Sequence, residues 1–352
     1  MKRIFVYILS NTFCLLLNFC NTTEPQIKND PPNSRDYTWT IDTIRSGSIQ
    51  TFMTSIWGSS SNNVWISGYD SDNSKCIYFF DGTRWSSVNY PPTYFVKHFY
   101  AVKGNGTNNV FFVGAASYFN PSPPPNFLDS ALVLQYSNGN WIYHNIHNSS
   151  ALNALCIING NEIWAGGSNG NLLRYQGISW EHYFLGKEDV LINCIAALNT
   201  DIVYASGHYE KIIIGQGAYI ADYFYKFNGT QWTMIDSNIV SNNFNRTSYP
   251  TNFRKINGNI FGSGDIGFVK MNGNTWEVIR PDIYGQFNGT NENNIFLANQ
   301  DFGVLHFNGQ DWYRFDQLPS LSYYDVEVFS DAVFLLATDG YTSYIVRGKL
   351  NK

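Results

Sequence analysis

Few side chains in this sequence have both the type and the setting for chemistry. His208 stands among Tyr209, Glu210, Lys211, Tyr219 and Asp222, and is the best single candidate for acid–base work. No serine or cysteine nucleophile context accompanies it. His144 and His147 are three residues apart, which on a strand puts them on opposite faces, so they make a poor metal pair. Asp70, Asn169, Asp265, Asp301 and Asp339 recur at one position of a repeated unit. As a ring they would suit a polar ligand or a structural cation; singly, Asp or Asn before Gly is ordinary turn chemistry. Gly-x-Ser-x-Gly, a Gly-rich phosphate loop and His-Glu-x-x-His are all missing from the sequence. The remaining catalytic option is a pair of carboxylates brought together from distant units. Aromatic and Asn-rich segments offer the other kind of chemistry, recognition: rings supply contact area and amides supply adaptable hydrogen bonds.

Placing these residues requires a scaffold, and internal repetition supplies it. Asn, Asp or Gln followed by Gly, one or two residues and Trp occurs six times, ending at Trp85, Trp141, Trp180, Trp232, Trp276 and Trp312. Asn-Gly between alternating apolar runs is a strong hairpin signal, because both residues tolerate positive φ. A strand precedes each turn, as in Asn63-Val64-Trp65-Ile66-Ser67-Gly68 and Glu162-Ile163-Trp164-Ala165-Gly166; Val333-Phe334-Leu335-Leu336-Ala337 is the seventh copy. Each unit then offers four antiparallel strands, the pattern of a propeller blade. The last unit lacks its Trp strand, and Tyr37-Thr38-Trp39-Thr40-Ile41 supplies it from the other end of the chain. The reading is all-β: a seven-bladed β-propeller over residues 37–352, four antiparallel strands per blade, its last blade closed by the strand around Trp39. Closure removes the long open sheet edge.

Composition agrees. Aromatics make up 17% of the 352 residues and charged residues only 14%, well short of the roughly one quarter usual in soluble proteins. The net charge is −5, and no Lys/Arg cluster is present, which argues against nucleic acid as partner.

Lys2 and Arg3 precede a mostly apolar stretch from Ile4 to Phe19, too short and broken for a good membrane span. Residues 1–20 are expected to be a signal peptide and 21–36, with Pro25, Pro31 and Pro32, a flexible tether. Leu17-Asn18-Phe19-Cys20 resembles a bacterial lipobox, with Phe19 where a small residue is usual; Cys20 is then the lipidation site. The expected location is outside the cytoplasm, as a cell-surface or outer-membrane lipoprotein or a periplasmic or secreted protein. Cys76, Cys156 and Cys194 have no metal spacing and are expected to pack as small hydrophobes.

The Phe-Asn/Asp-Gly-x-x-Trp unit resembles the broad group of bacterial secreted propellers with BNR/Asp-box-like or regulator-type repeats. Sialidases of that group carry Ser-x-Asp-x-Gly-x-x-Trp turns. The turns here lack the leading Ser-x-Asp, so the resemblance implies the fold and carries no catalytic residue across.

Strand alternation sorts the loops onto two faces. The turns before each Trp emerge on one face; the longer segments 89–96, 115–130, 208–222 and 236–250 emerge on the other and are expected to be loops. Tyr118, Phe119, Phe127, His208, Tyr209 and Tyr219 on these segments, with Asp265, Asp301 and Asp339, form the expected ligand face. The leading expectation is a monomeric, non-catalytic module for a glycan or an envelope protein, with no cofactor and with contact to a membrane only through an N-terminal lipid. The alternative is a glycan hydrolase or lyase using acids at the channel mouth.

Overall fold

The hairpin signals close seven sheets in the computed structural model, which describes residues 34–351 apart from 92–95, 120–126, 147–148, 188, 214–216 and 242–249. Each sheet has four strands. Blades one to six cover residues 51–87, 96–144, 152–184, 191–241, 252–280 and 286–314. Blade seven consists of Ser322–Val328, Ala332–Thr338 and Ser343–Leu350, and Tyr37–Ile44 is its outer strand. That closing strand pairs with Ser343–Leu350 over eight residues, from Tyr37 opposite Leu350 to Ile44 opposite Ser343. The expected propeller and its mode of closure are both present. The expected signal peptide, the expected tether up to residue 33 and Cys20 lie outside the described residues. Residues 34–36 already belong to the fold: Arg35 donates to Asp311 at 2.7 Å, and the Asn351 amide donates to the Asp36 carboxylate at 2.7 Å.

The turns before each Trp divide into two kinds. Asn138-Gly139 has positive φ at both residues, 48° and 86°, the double left-handed turn expected of Asn-Gly. At Asp81, Asn228 and Asn308 only the following glycine is left-handed. There the side-chain oxygen caps the turn instead: Asp81 Oδ1 accepts from the N–H groups of Thr83 and Arg84, and Asn228 and Asn308 repeat the pattern. Each of the seven Trp rings then reaches the blade before its own. Trp141 meets Trp65, Trp180 meets His144, Trp232 meets Trp164 and Trp276 meets Phe224. Trp312 meets Phe268, Trp39 meets Phe315 just past blade six, and Trp85 meets Phe334 across the closure. Between these rings and the channel run seven apolar layers, one per blade junction, built from residues such as Phe111, Trp164, Phe224, Phe268 and Phe296.

In three segments expected to be loops, the described residues are mostly strand. Asn109–Phe119 and Phe127–Ser137 stay paired out to Phe119 opposite Phe127. Val203–Ile213 and Gly217–Phe227 stay paired out to Ile213 opposite Gly217, and Trp232–Ser241 follows them. The physical reason lies in the segments themselves, where β-branched and aromatic residues continue past the blade edge, as in Ile212-Ile213 and Tyr219-Ile220. Tyr118, Phe119, Phe127, His208, Tyr209 and Tyr219 therefore stand on two long hairpins, not on loops. Residues 92–95 and 242–249 of the other expected loops lie outside the described residues.

Candidate functional site

The innermost strand of each blade lines a central channel. On the face of the long hairpins, its mouth is ringed by one residue per blade: Thr54, Tyr100, Asn153, Asn193, Asn252, Gln286 and Tyr324. In five blades the ring residue is the extra residue of a β-bulge. The register skips Thr54 between Met53 and Ser55, Tyr100 between Phe99 and Ala101, and Asn153 between Leu152 and Ala154; Asn193 and Tyr324 are skipped in the same way. A bulge frees one residue from strict alternation and re-aims its side chain. Here it turns a polar or aromatic group toward the channel while its neighbours, Met53, Phe99, Leu152 and Ile192, stay in the core.

The ring has two halves. Blades seven and two give aromatics, with Thr54 of blade one between them: Tyr324 meets Phe52 of blade one edge-on at 4.9 Å, and His98 lies 4.3 Å from Tyr69 and 3.4 Å from the Tyr100 hydroxyl. Blades three to six give amides, among which Asn252 donates to Gln286 at 2.9 Å and Asn193 accepts from Ser206 at 2.6 Å. The channel cavity is about 250 Å³ on this side. It continues into a groove of about 430 Å³ across blades five to seven, lined by Asp265, Tyr284, Asn299, Gln300 and Ser322 and sharing Asn252, Gln286 and Tyr324 with the mouth.

Below the ring, charges gather. Arg254 of blade five ion-pairs with Asp325 of blade seven, whose carboxylate also accepts from Ser55 Oγ at 3.1 Å and from the N–H groups of Ile56 and Val326 at 2.9 Å each. Burial pushes the Asp325 carboxyl up, but Arg254 and Lys103 hold it below its ordinary value. Glu327 lies further along the same strand and accepts from Asn288 at 3.3 Å. Burial pushes it up to about 7 against the pull of Lys103 and Arg254. Lys103 itself is held below the ordinary lysine value, by burial first and by Arg254 second. Toward the far face the channel is closed in by Trp57, Leu155, Ile157 and Ile158. There Trp57 packs so closely on Gly104 that a Cβ at that position would come within 2.3 Å of its ring.

The five residues at the ends of the second strands do not line the channel. Asp70 is fully buried, accepts from Ser48 at 2.6 Å and from the N–H groups of Asp72 and Ser74, and so organises its own turn. Asp339 accepts from the N–H groups of Tyr341 and Thr342 and from the Tyr344 hydroxyl. Asn169 takes a left-handed φ of 61° and donates to Ser150. Asp301 accepts from the Tyr284 hydroxyl at 2.9 Å, and Asp265 lines the groove that holds Tyr284. Of these five, Asp265 alone lines the groove, and Asp301 touches it only through Tyr284. His208 pairs with Asp222 at 2.7 Å across the blade-four hairpin, and neither lines the channel or the groove. Cys76 is buried; Cys156 and Cys194 are half-buried on the channel wall, and all three are free thiols. Among the described residues, no group of three or more His, Cys, Asp or Glu stands close enough to hold a metal.

No protein family description matches the sequence, and comparison with curated proteins finds no match. Solved structures do match in fold. YCF48 bound to D1 peptide superposes with a TM-score of 0.61 at 13% identity, covering 92% of this chain and 98% of that one. A catalytically inactive virginiamycin B lyase from Staphylococcus aureus with quinupristin gives 0.59 at 11% identity, covering 88% and 99%. YCF48 from Cyanidioschyzon merolae gives 0.53 at 13%, covering 88% and 98%. At these identities the likeness is one of fold. The chain is a seven-bladed propeller of the same architecture.

Proposed function

We propose that this propeller is a non-catalytic recognition module that takes a peptide segment of a partner protein at the channel mouth and the groove beside it. The observation that carries the reading is the bulge-presented ring, aromatic on one side and amide on the other, opening into a groove. A ring of neutral hydrogen-bonding groups, opening into a groove in which Asp265 is the one charged lining residue, suits a chain that offers both backbone amides and apolar side chains. The neighbour YCF48 bound to D1 peptide shares the fold and lends the reading analogy. Glycan capture would use the same surface. Kinship with Asp-box or regulator-type propellers rests on the Asn/Asp-Gly-x-x-Trp turns.

The glycan-active alternative needs two carboxyl groups free to act on one bond. Asp325 and Glu327 come closest to such a pair, one held ionised and the other drawn toward neutral. Asp325, however, already accepts four hydrogen bonds, as many as a carboxylate has sites for. It serves as a clasp between blades and has no lone pair left for a substrate.

The leader features Lys2, Arg3 and Cys20 extend the proposal to an exported and lipid-anchored protein; acyl-chain mass on the mature N-terminal cysteine is the check. Parallel peptide and glycan arrays on residues 34–352, with product analysis of every hit, test the recognition reading. Peptide capture without turnover, reduced at least tenfold by Tyr100→Ala with Tyr324→Ala, is expected. Turnover of a bound glycan overturns it.

A further inference from the structure

The floor of the channel holds an unused cation. Lys103 of blade two lines the channel on both sides of its waist. The other charges around it have partners within the protein. Arg254 is committed to Asp325, and Asp325 is saturated by Arg254, Ser55 and two backbone N–H groups. Glu327 accepts from Asn288. Lys103 donates no hydrogen bond and makes no ion pair within 4.0 Å among the described residues. Its surroundings are otherwise Cys156 of blade three, Cys194 of blade four, Leu155 and Phe253. Lys103 is half-buried, and its ammonium offers three donors and no acceptor to whatever enters the channel.

We infer that Lys103 is an anion site at the floor of the channel and that it receives a carboxylate from a ligand entering between the ring residues. The inference rests on the peptide-recognition reading for the identity of the ligand, but not for the anion site itself. Three features favour a carboxylate. Asp325 is neutralised by Arg254, so the waist carries a positive excess whenever Glu327 holds its proton. The cavity above Lys103 is about 250 Å³, room for a chain end or one extended side chain and not for a folded segment. The amide and aromatic ring at the mouth can grip the uncharged part of the same chain while its anionic tip reaches the floor. A charge-assisted N–H to carboxylate bond in such a site is about twice as strong as a neutral one.

The far face does not offer the same approach. Trp57 over Gly104 and the aliphatic wall of Leu155, Ile157 and Ile158 line that side together with Lys255, Asn288 and Glu327, and among the described residues no ring of amides stands there to grip the uncharged part of a chain. The ligand therefore comes from the face with the ring.

The test begins with sodium acetate as probe and acetamide as its neutral control, followed by NMR of the Lys103 side-chain methylene adjoining the ammonium. Saturable shifts with acetate and none with acetamide are expected. In Lys103→Met, acetate binding read from the backbone amide shifts of Asn153 and Asn193 should weaken at least tenfold, while Lys103→Arg, which keeps the charge, should retain binding and serves as the test if the methionine variant fails to fold. An acetate response equal in the folded Met variant, or no saturable response in the wild type, overturns the site. Three tripeptides then identify the source of the carboxylate: Ala-Ala-Ala with a free C-terminus, its N-acetyl amide, and N-acetyl-Ala-Asp-Ala amide. Preference for the first marks a chain terminus and for the third an acidic side chain; either supports the inference. Equal binding of all three overturns the carboxylate while leaving peptide recognition intact. Acetate binding with no peptide binding retains the anion site and removes the peptide reading.

Discussion

Arg254 on the inner strand of blade five reaches past blade six to ion-pair with Asp325 on the inner strand of blade seven. Asp325 in turn accepts from Ser55 and Ile56 of blade one, and Ser55 Oγ accepts from the Val102 N–H of blade two at 3.2 Å. One carboxylate thus ties blades five, seven and one, with blade two joined through a hydroxyl. The ring is fastened twice, at its rim by the closing strand and at its axis by this cluster.

Removing one member of a buried pair leaves the other charged and unpartnered. Asp325→Asn should therefore destabilise the fold by about 3–5 kcal/mol, and Arg254→Met by a similar amount. The double variant Arg254→Met with Asp325→Asn should lose less than the two singles combined, because neither charge is stranded. Denaturant midpoints of the four proteins give the coupling directly, and additive losses would deny that the pair acts as a unit.

Glu327 makes stability depend on pH in the opposite sense to an ordinary carboxylate. Its folded value of about 7 lies above the 4.5 of an unburied glutamate, so the native state holds a proton that the unfolded chain releases. Its contribution is complete below about pH 4.5 and is lost as pH rises through about 7. Between pH 5 and 8 the wild type should become less stable as pH increases, and Glu327→Gln should flatten that slope. Urea midpoints at four pH values in this window decide the matter; a slope unchanged in Glu327→Gln would assign the effect elsewhere.

The architecture was legible because its signals are local. Asn-Gly turns, the Trp that follows, and the displaced strand at Trp39 are each read within a few residues, and the counting closes without any knowledge of packing. The ring was not legible, for a reason just as physical. Thr54, Tyr100, Asn153, Asn193 and Tyr324 sit at bulges, and a bulge is invisible to an argument based on strict alternation. A usable signal did exist: aligning the seven inner strands sets Met53-Thr54-Ser55, Phe99-Tyr100-Ala101, Leu152-Asn153-Ala154 and Ile192-Asn193-Cys194 in register, a polar or aromatic residue each time directly after a buried apolar one. The same alignment would have picked out Lys103, Arg254, Asp325 and Glu327 as charges on strands that are otherwise apolar. The second-strand acids were prominent in the sequence for turn chemistry, which is what Asp70 and Asp339 do.

Closure at the rim depends on a glycine. Trp39 lies over Gly348 of the adjacent strand, where a Cβ would stand 2.8 Å from two atoms of its indole. Trp39 also packs on Phe315 at 5.0 Å, so it has little room to move away. Gly348→Val should cost about 1–3 kcal/mol as overpacking, although valine suits a strand by propensity. A lowered melting temperature with an unchanged fold by circular dichroism is the expected result; an unchanged melting temperature would mean that the indole has another place to go.

His208 and Asp222 face each other on the blade-four hairpin, with Nδ1 and Oδ1 2.7 Å apart. The hydrogen bond to Asp222 raises the histidine above its ordinary value, against the smaller opposing effect of burial. The sign of its linkage follows: the pair supports the hairpin when the imidazole is protonated, fully below the unfolded histidine value, and that support fades as pH rises through the folded one. Asp222→Asn should bring the His208 titration down, read by NMR of the imidazole. The same variant should leave ligand capture at the channel mouth unchanged, because His208 and Asp222 line neither the channel nor the groove. Loss of capture in Asp222→Asn would move the recognition surface outward, from the bulged ring to the projecting hairpins that carry Tyr209 and Tyr219.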